Sequence, residues 1–384
     1  MKQQYYSLKR ILKEDADYNV IYGERSNGKT FSVKDLISFG FHDKEINIDG
    51  YLDNGSQGAI IRRYEEDFRK GKGASMWNDI IENPLKGNIL EQKSKGKWNN
   101  IKFYSMAWYL SRWEKGKEVE VDDRPFCFAF ALSSAEHYKS NSYPLIDKIL
   151  LDEFIASQGY LINEWSLFVS IVSTIIRDRD NVKIFLCGNT INKINPYFTE
   201  MGVAFKTKTM KQGDLNVFYY GEKSELKVAV EYTGSSDANK RIKKKSDKFF
   251  AFDNPRLKMV TQGDWELDIY PHLPYKYKPK DIVYVYFIKY AGDIYQCEII
   301  DIDNQMKPFT YIHRKTTPIK DDGYSIIYSE DYSIEPNHKR KLIYALSSIE
   351  KKIVWFYQNE RVFYQDNEVG NMIDNYIEWC RNSK

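Results

Sequence analysis

The sequence predicts an α/β fold built on a parallel sheet, and three observations carry that prediction. Short apolar runs at 18–22, 59–63, 126–132, 148–151 and 182–187 alternate with helical patterns across the first 200 residues. Several of these runs are continuous rather than alternating, as strands covered on both faces require. The first run leads directly into a glycine-rich loop and a helical pattern at 31–39, and the fourth ends in two adjacent carboxylates.

The loop is Gly23-Glu24-Arg25-Ser26-Asn27-Gly28-Lys29-Thr30. In this spacing backbone N–H groups converge at a helix N-terminus to form a phosphate-binding loop. Lys29 is placed for the β- and γ-phosphates and the Thr30 hydroxyl for Mg²⁺, so the implied ligand is a nucleoside triphosphate such as ATP. The bland alternative is a structural glycine-rich turn.

The second motif, Lys148-Ile149-Leu150-Leu151-Asp152-Glu153, is an apolar strand ending in acids. Asp152 is placed to hold Mg²⁺ beside Thr30, and Glu153 to polarise an attacking water. Binding alone would not require the second acid. Read without the loop, Asp-Glu would be no more than a polar strand end. With it, the expected fold is a phosphate-loop NTPase of the additional-strand, catalytic-glutamate (ASCE) class, its parallel sheet flanked by helices.

Ligands on such sheets collect at the carboxyl ends of the strands, so strand-terminal polar residues carry weight. Asn189 follows the run at 182–187 and is placed to sense the γ-phosphate or hold the attacking water, or else simply forms a turn. Arg62 and Arg63 end the second strand, one of them positioned to orient Glu153 unless both are surface arginines. At 165–176 apolar residues recur with helical spacing, and the helix ends in Arg177-Asp178-Arg179-Asp180.

A chain of 384 residues with 42% hydrophobic and 29% charged residues is long enough for two domains and a large core. The net charge of +3 leaves nucleic-acid affinity to local patches. Thirty tyrosines and 21 phenylalanines imply many aromatic packing surfaces. The four cysteines, Cys127, Cys187, Cys297 and Cys380, lack metal-ligand spacing and read as reduced core thiols. With no signal peptide and no long apolar run, the expected location is the cytosol, with no membrane contact.

The blocks containing Gly23 to Thr30, Arg62-Arg63, Asp152-Glu153, Arg177-Asp178-Arg179 and Asn195-Pro196-Tyr197-Phe198 resemble, in order, those of the DNA-packaging ATPases of phi-29-type short-tailed bacteriophages. The resemblance spans about 180 residues and is weak behind them. It implies a homomeric ring, pentameric in this family, that docks on the portal of a procapsid in the host cytoplasm, in places with a packaging RNA, and drives double-stranded DNA inward. It makes Lys29 and Thr30 the phosphate and Mg²⁺ contacts, Asp152 and Glu153 the metal and catalytic carboxylates, and Arg177 the trans-acting arginine finger, with Arg179 as the alternative. Both arginines also suit a plain helix cap paired with Asp178 and Asp180. Arg25, inside the loop, would neutralise charge in cis.

The resulting division is an ATPase domain at 1–205, a basic linker region at 206–274 and a C-terminal domain at 275–384. The linker carries Lys240, Arg241, Lys243, Lys244, Lys245 and Lys248, a cluster suited to a phosphate backbone or, more plainly, to a solvated surface. The C-terminal part predicts a hairpin, 282–290 and 294–302, then helices at 338–349 and 369–381. It resembles a reduced, vestigial RNase H-like nuclease domain of the large terminases. The strand at 282–290 has no acid, and Asp281, Asp293, Glu298, Asp301 and Asp303 are expected at strand ends and in turns, on solvated surface. Two other functions compete: a terminase-like motor with an active nuclease, and a soluble regulatory NTPase, the GTPase form of which lacks an Asn-Lys-x-Asp motif.

Overall fold

The computed structural model describes every residue except 1–5, 26, 70, 157–159, 162, 190–194, 235–269, 274–275, 291, 303–306, 321–322, 343–346 and 383–384. The basic cluster from Lys240 to Lys248, Ser26 and Asp303 lie outside the described residues. The chain forms two compact units, Met1–Glu266 and Leu267–Lys384.

The first unit is organised by six parallel strands: β1 (Tyr18–Gly23), β2 (Gln57–Arg62), β6 (Cys127–Ala131), β7 (Ile146–Asp152), β8 (Lys183–Asn189) and β10 (Leu226–Thr233). Their spatial order is β10-β1-β8-β7-β2-β6. Four antiparallel strands complete the sheet. β9 (Leu215–Tyr220) pairs with β10, while β3 (Asn100–Tyr104), β4 (Ala107–Glu114) and β5 (Lys117–Val121) form a meander that joins beyond β6. Strand β8 therefore lies between the strand entering the glycine-rich loop and the strand ending in the carboxylates.

Alternating side chains feed two cores, one on each face. Leu150 of β7 packs with Val33, Leu36 and Ile37 of α1 (Lys29–Phe39), whereas its neighbours Ile149 and Leu151 pack with Phe168, Ile171 and Val172 of α2 (Glu164–Ile176). Each fully buried side chain of this size contributes about 1.5–3 kcal/mol. That two-sided burial is why the strands read as continuous apolar runs.

Sequence reasoning ended this unit at 205, but β9 and β10 belong to the sheet. Val228, Ala229 and Val230 are buried, and β10 pairs with β1 from Tyr18↔Val228 to Gly23↔Thr233. Within the supposed linker, β9 and β10 are thus strands of the first unit's sheet.

In the second unit, β11 (Ile282–Tyr290), β12 (Asp293–Ile300) and β13 (Phe309–Arg314) form an antiparallel meander. Strand β14 (Ile327–Ser329) pairs parallel to β11, β15 (His338–Lys339) parallel to β14, and β16 (Val362–Tyr364) parallel to β13. The order is β15-β14-β11-β12-β13-β16. Helices α4 (Ser348–Gln358) and α5 (Asn367–Asn382) follow the smaller strands. The helix expected at 338–349 instead begins at Ser348, because the Ser347 side chain accepts from Glu350 N while the Glu350 carboxylate accepts from Ser347 N, a capping box that sets the start.

Glu298 also departs from expectation. It sits inside β12, buried, accepting from the Tyr277 hydroxyl at 2.5 Å and Gln296 Nε2 at 2.6 Å, with His313 Nε2 3.4 Å away. Those bonds hold its carboxyl below the ordinary range despite burial. Asp281 is buried as well, accepting from Lys278 N. All four cysteines are buried thiols outside any disulfide. Among the described residues no helix is long and apolar enough to cross a membrane.

Candidate functional site

The carboxyl ends of β1, β8, β7 and β2 bring the predicted residues to one edge of the first sheet. Register makes Gly23 the partner of Asn189 and of Thr233, and Cys187 the partner of Asp152. Strand ends alone thus bring Asn189 beside the loop and Asp152 one strand further on.

The loop's two terminal glycines are steric requirements. Gly23 has φ +152°, and a Cβ there would lie 2.2 Å from Thr233 Oγ1 and 2.5 Å from its carbonyl oxygen. Gly28 caps α1 at φ +93°, ψ 15°, the left-handed region that side chains disfavour. Between them, Asn27 donates to Thr233 Oγ1 at 2.8 Å, so the end of β10 braces the loop from the side. Glu24 is buried, its carboxylate accepting from Gln212 at 3.1 Å, whereas Arg25 is exposed.

Lys29 is buried and turned onto its own loop. Its ammonium donates to the carbonyls of Gly23 at 3.2 Å and Glu24 at 2.6 Å and to Asn27 Oδ1 at 3.1 Å. Burial lowers its pKa to about 8, although Cys187, Asp152 and Glu24 pull the other way. Thr30 Oγ1 donates to Asp152 Oδ1 at 2.7 Å. A hydroxyl and a carboxylate oxygen in contact form a hard-oxygen donor pair of the kind Mg²⁺ takes.

The adjacent arginines divide between the two faces of the sheet. Arg62 grips both acids, Nη2 on Asp152 Oδ2 at 2.7 Å and Nη1 on Glu153 Oε2 at 2.8 Å. Arg63 points to the α2 side, where Nε and Nη2 meet the two carboxylate oxygens of Glu164 at 2.7 and 2.8 Å. Neither is a surface arginine: their side chains are 19% and 13% exposed. Glu153 itself has φ +57°, rare for a residue with a side chain, while its carboxylate stays exposed. Non-glycine residues in that region cluster at functional sites.

A cleft of about 380 Å³ opens beside Lys29 and Thr30, bounded by Asn27, Phe31, Asp79, Asn83 and Asn189 among others. Sequence reasoning missed its far wall. Asp79 is held there by the buried Lys34 of α1 at 2.6 Å, an ion pair that no motif announces.

Arg177 and Arg179 stand elsewhere. Helix α2 starts at the carboxyl edge of the sheet, with Glu164 on Arg63, and ends at the opposite edge, where Arg179 donates to the carbonyls of Tyr143, Pro144, Ile146 and Ile175. Thirteen residues of helix separate the two ends by about 20 Å. Arg177, at φ +49°, donates to the Asn141 carbonyl at 2.6 Å. Among the described residues neither arginine is ion-paired with Asp178 or Asp180. Arg177 therefore faces away from the glycine-rich loop of its own chain.

Fold and site together define an α/β protein with a glycine-rich loop opposite a carboxylate pair. A family model described as Podovirus DNA encapsidation protein (Gp16) matches residues 112–333, more than half of the chain, and the chain belongs to that family. The matched segment includes Asp152, Glu153, Arg177 and Asn189. The chain is 26% identical over 196 residues to a DNA packaging protein of Bacillus phage B103, covering 50% of each chain. It is 24% identical over 200 residues to the DNA packaging protein of Bacillus phage phi29, covering 51% of this chain and 50% of that one. The chain thus spans about half the length of the curated relatives it matches. Its fold is similar to a chain of the bacteriophage Phi-29 viral genome packaging motor assembly, with a TM-score of 0.54, 18% identity and 99% of each chain covered.

Proposed function

We propose that this chain is the ATP-hydrolysing subunit of a motor that moves double-stranded DNA into a preformed procapsid. The observation that carries this reading is the meeting of Lys29, Thr30, Asp152 and Glu153 at one edge of a parallel sheet, in a chain of the encapsidation family. Strand β8, interposed between β1 and β7, supports the additional-strand, catalytic-glutamate class.

In this mechanism the backbone of residues 23–30 and the Lys29 ammonium cradle the β- and γ-phosphates at the α1 N-terminus. Thr30 and Asp152 would hold Mg²⁺, which when bound would neutralise phosphate charge. Glu153 accepts a proton from water as that water attacks the γ-phosphorus. The bond from that phosphorus to the bridging oxygen breaks, leaving ADP and phosphate. Asn189 contacts the γ-phosphate or the water. Arg62 aligns both acids.

The trans-acting finger is Arg177 of a neighbouring subunit in a homomeric ring, a pentamer by family resemblance. Its distance from the loop of its own chain supports supply in trans, and Arg179's four carbonyl bonds favour a structural role for that residue. A guanidinium on the developing γ-phosphoryl charge is worth about 10³–10⁵ in rate, so hydrolysis would depend on assembly.

The strand order β13-β12-β11-β14-β15, three antiparallel strands followed by two parallel ones, supports a vestigial RNase H-like second unit. No acid occupies β11, which favours a unit that engages DNA, the portal or a packaging RNA without cutting. The basic residues from Lys240 to Lys248 are assigned by composition to DNA phosphates.

The test is nuclease protection. Purified protein, procapsids, double-stranded DNA and ATP should together render the DNA resistant to added nuclease. Unprotected DNA with intact ATP turnover would mean a soluble NTPase, and nicking with Mn²⁺ would mean an active terminase nuclease.

A further inference from the structure

Glu164 is a fully buried acid of the first unit with four hydrogen-bond donors on its carboxylate, and the function proposed above gives it no role. Its side chain is 0% exposed. Each carboxylate oxygen receives two donors: Oε1 takes Arg63 Nη2 at 2.8 Å and the Tyr197 hydroxyl at 2.8 Å, and Oε2 takes Arg63 Nε at 2.7 Å and Leu161 N at 2.8 Å. Four donors on one carboxylate leave no spare lone pair for water and fix the rotamer.

The three segments joined here are those that carry the chemistry. Arg63 follows the strand ending in Arg62. Glu164 is the first residue of α2, whose far end presents Arg177. Tyr197 lies in α3 (Pro196–Glu200), downstream of Asn189. The same Arg63 guanidinium also reaches the chain just past Asp152, with the Phe154 carbonyl at 3.2 Å and the Glu153 carbonyl at 3.4 Å. Tyr160 covers its face at 5.3 Å. Glu153, whose carbonyl Arg63 reaches, is the residue with the left-handed φ of +57°. Arg63 therefore holds the backbone of this turn from behind, while Arg62 holds the Glu153 carboxylate from the front.

We propose that the Arg63–Glu164 pair is a positioning device for hydrolysis, clamping the left-handed turn that aims Glu153 and fastening that turn to the base of α2. The inference rests on Glu153 being the residue that activates water. Arg63 alone, on its flexible stem, would lose much of its rotamer freedom to hold two carbonyls. Glu164 prepays that ordering by fixing both ends of the guanidinium in a bidentate pair. An aiming error of about 1 Å costs on the order of 10²-fold in rate, so the clamp affects turnover rather than nucleotide affinity.

The test separates positioning from folding. Glu164→Gln faces at least two donors with an amide donor, so it should lower both the melting temperature and kcat, with ATP affinity changed less than about twofold. The triple variant Arg63→Met, Glu164→Leu, Tyr197→Phe replaces the buried pair with apolar groups, a change that is commonly neutral for stability. Only the Leu161 N–H and the Glu153 and Phe154 carbonyls then lose a side-chain partner, so it should melt above Glu164→Gln, bind ATP normally and still turn over about 100-fold more slowly, because the turn is no longer held. Recovery of kcat together with the melting temperature would make the pair purely structural and overturn the proposal. Should the triple variant fail to fold, Arg63→Lys decides. It keeps charge and fold but loses the bidentate geometry, and should lower kcat at least tenfold with unchanged ATP affinity; wild-type kcat would again overturn the proposal. Glu153→Gln runs in parallel: normal turnover there removes Glu153 as the catalytic group, whereas loss there with normal turnover in the clamp variants removes only the clamp.

Discussion

Arg62 and Glu153 form an ion pair of 2.8 Å at the carboxyl edge of neighbouring strands, and the same guanidinium holds Asp152 at 2.7 Å. One cation therefore sets the spacing of the two acids that would hold Mg²⁺ and activate water. Arg62→Ala should leave ATP binding within a few-fold of wild type and lower kcat by about 100-fold, since it frees the aim of both acids. Arg62→Lys should recover little, because a point charge cannot span both carboxylates. Steady-state ATPase assays with parallel nucleotide titrations check this; unchanged kcat in Arg62→Ala would remove the alignment role.

Arg177 and Arg179 should separate cleanly. Arg177→Ala should bind ATP, hydrolyse it poorly and melt close to wild type. Mixed with Asp152→Ala subunits that retain Arg177, it should regain part of its activity, because the mixed ring contains sites with intact acids facing intact fingers. Arg179→Ala should instead lose stability, by about 2 kcal/mol, through its carbonyl contacts. Absence of complementation would show that Arg177 acts within its own chain or only structurally.

Much of this site was legible in the sequence, and the physics explains both what was and what was not. Loop, carboxylates and Asn189 are local patterns at strand ends, and the two-sided burial of Leu150 and Ile149 makes the strand itself conspicuous. The split between Arg62 and Arg63 was not legible, since adjacent residues at a strand end face opposite sides and only the finished sheet says which side holds the acids. Strand β10 was missed because its place beside β1 is a contact across about 200 residues that carries no motif, although Thr233 braces Asn27. Glu164 was invisible for the same reason: its partners Arg63 and Tyr197 are far away in sequence.

Lys29 makes nucleotide affinity depend on pH. Burial lowers its pKa to about 8, so above that pH the free protein loses the proton that the phosphate contact requires. Binding then takes up a proton, and affinity should fall as pH rises past 8, approaching about tenfold per unit. Stability moves the other way. The unfolded lysine, near 10.4, holds its proton where the folded one does not, so the cost of burying its charge is relieved between about pH 8 and 10.4. Titration with a fluorescent ATP analogue across this range checks the sign; a flat affinity would mean that Lys29 stays charged.

Gly23 should tolerate no side chain. Gly23→Ala brings a Cβ to 2.2 Å from Thr233 Oγ1 at a φ of +152°, so the loop must shift away from β10. Nucleotide binding should be lost, with a destabilisation of about 1–3 kcal/mol measured by denaturant unfolding. Wild-type binding would mean that the brace from Thr233 is dispensable.

Glu153 is the centre of the account, and its most direct test is ATP turnover by wild type and Glu153→Gln, each with and without procapsids and double-stranded DNA. Wild type should hydrolyse ATP, with stimulation when both partners are present. Glu153→Gln should bind ATP nearly as tightly and turn over at least 100-fold more slowly under every condition. Equal turnover in the two proteins, or turnover in wild type indifferent to DNA and procapsids, would contradict the motor.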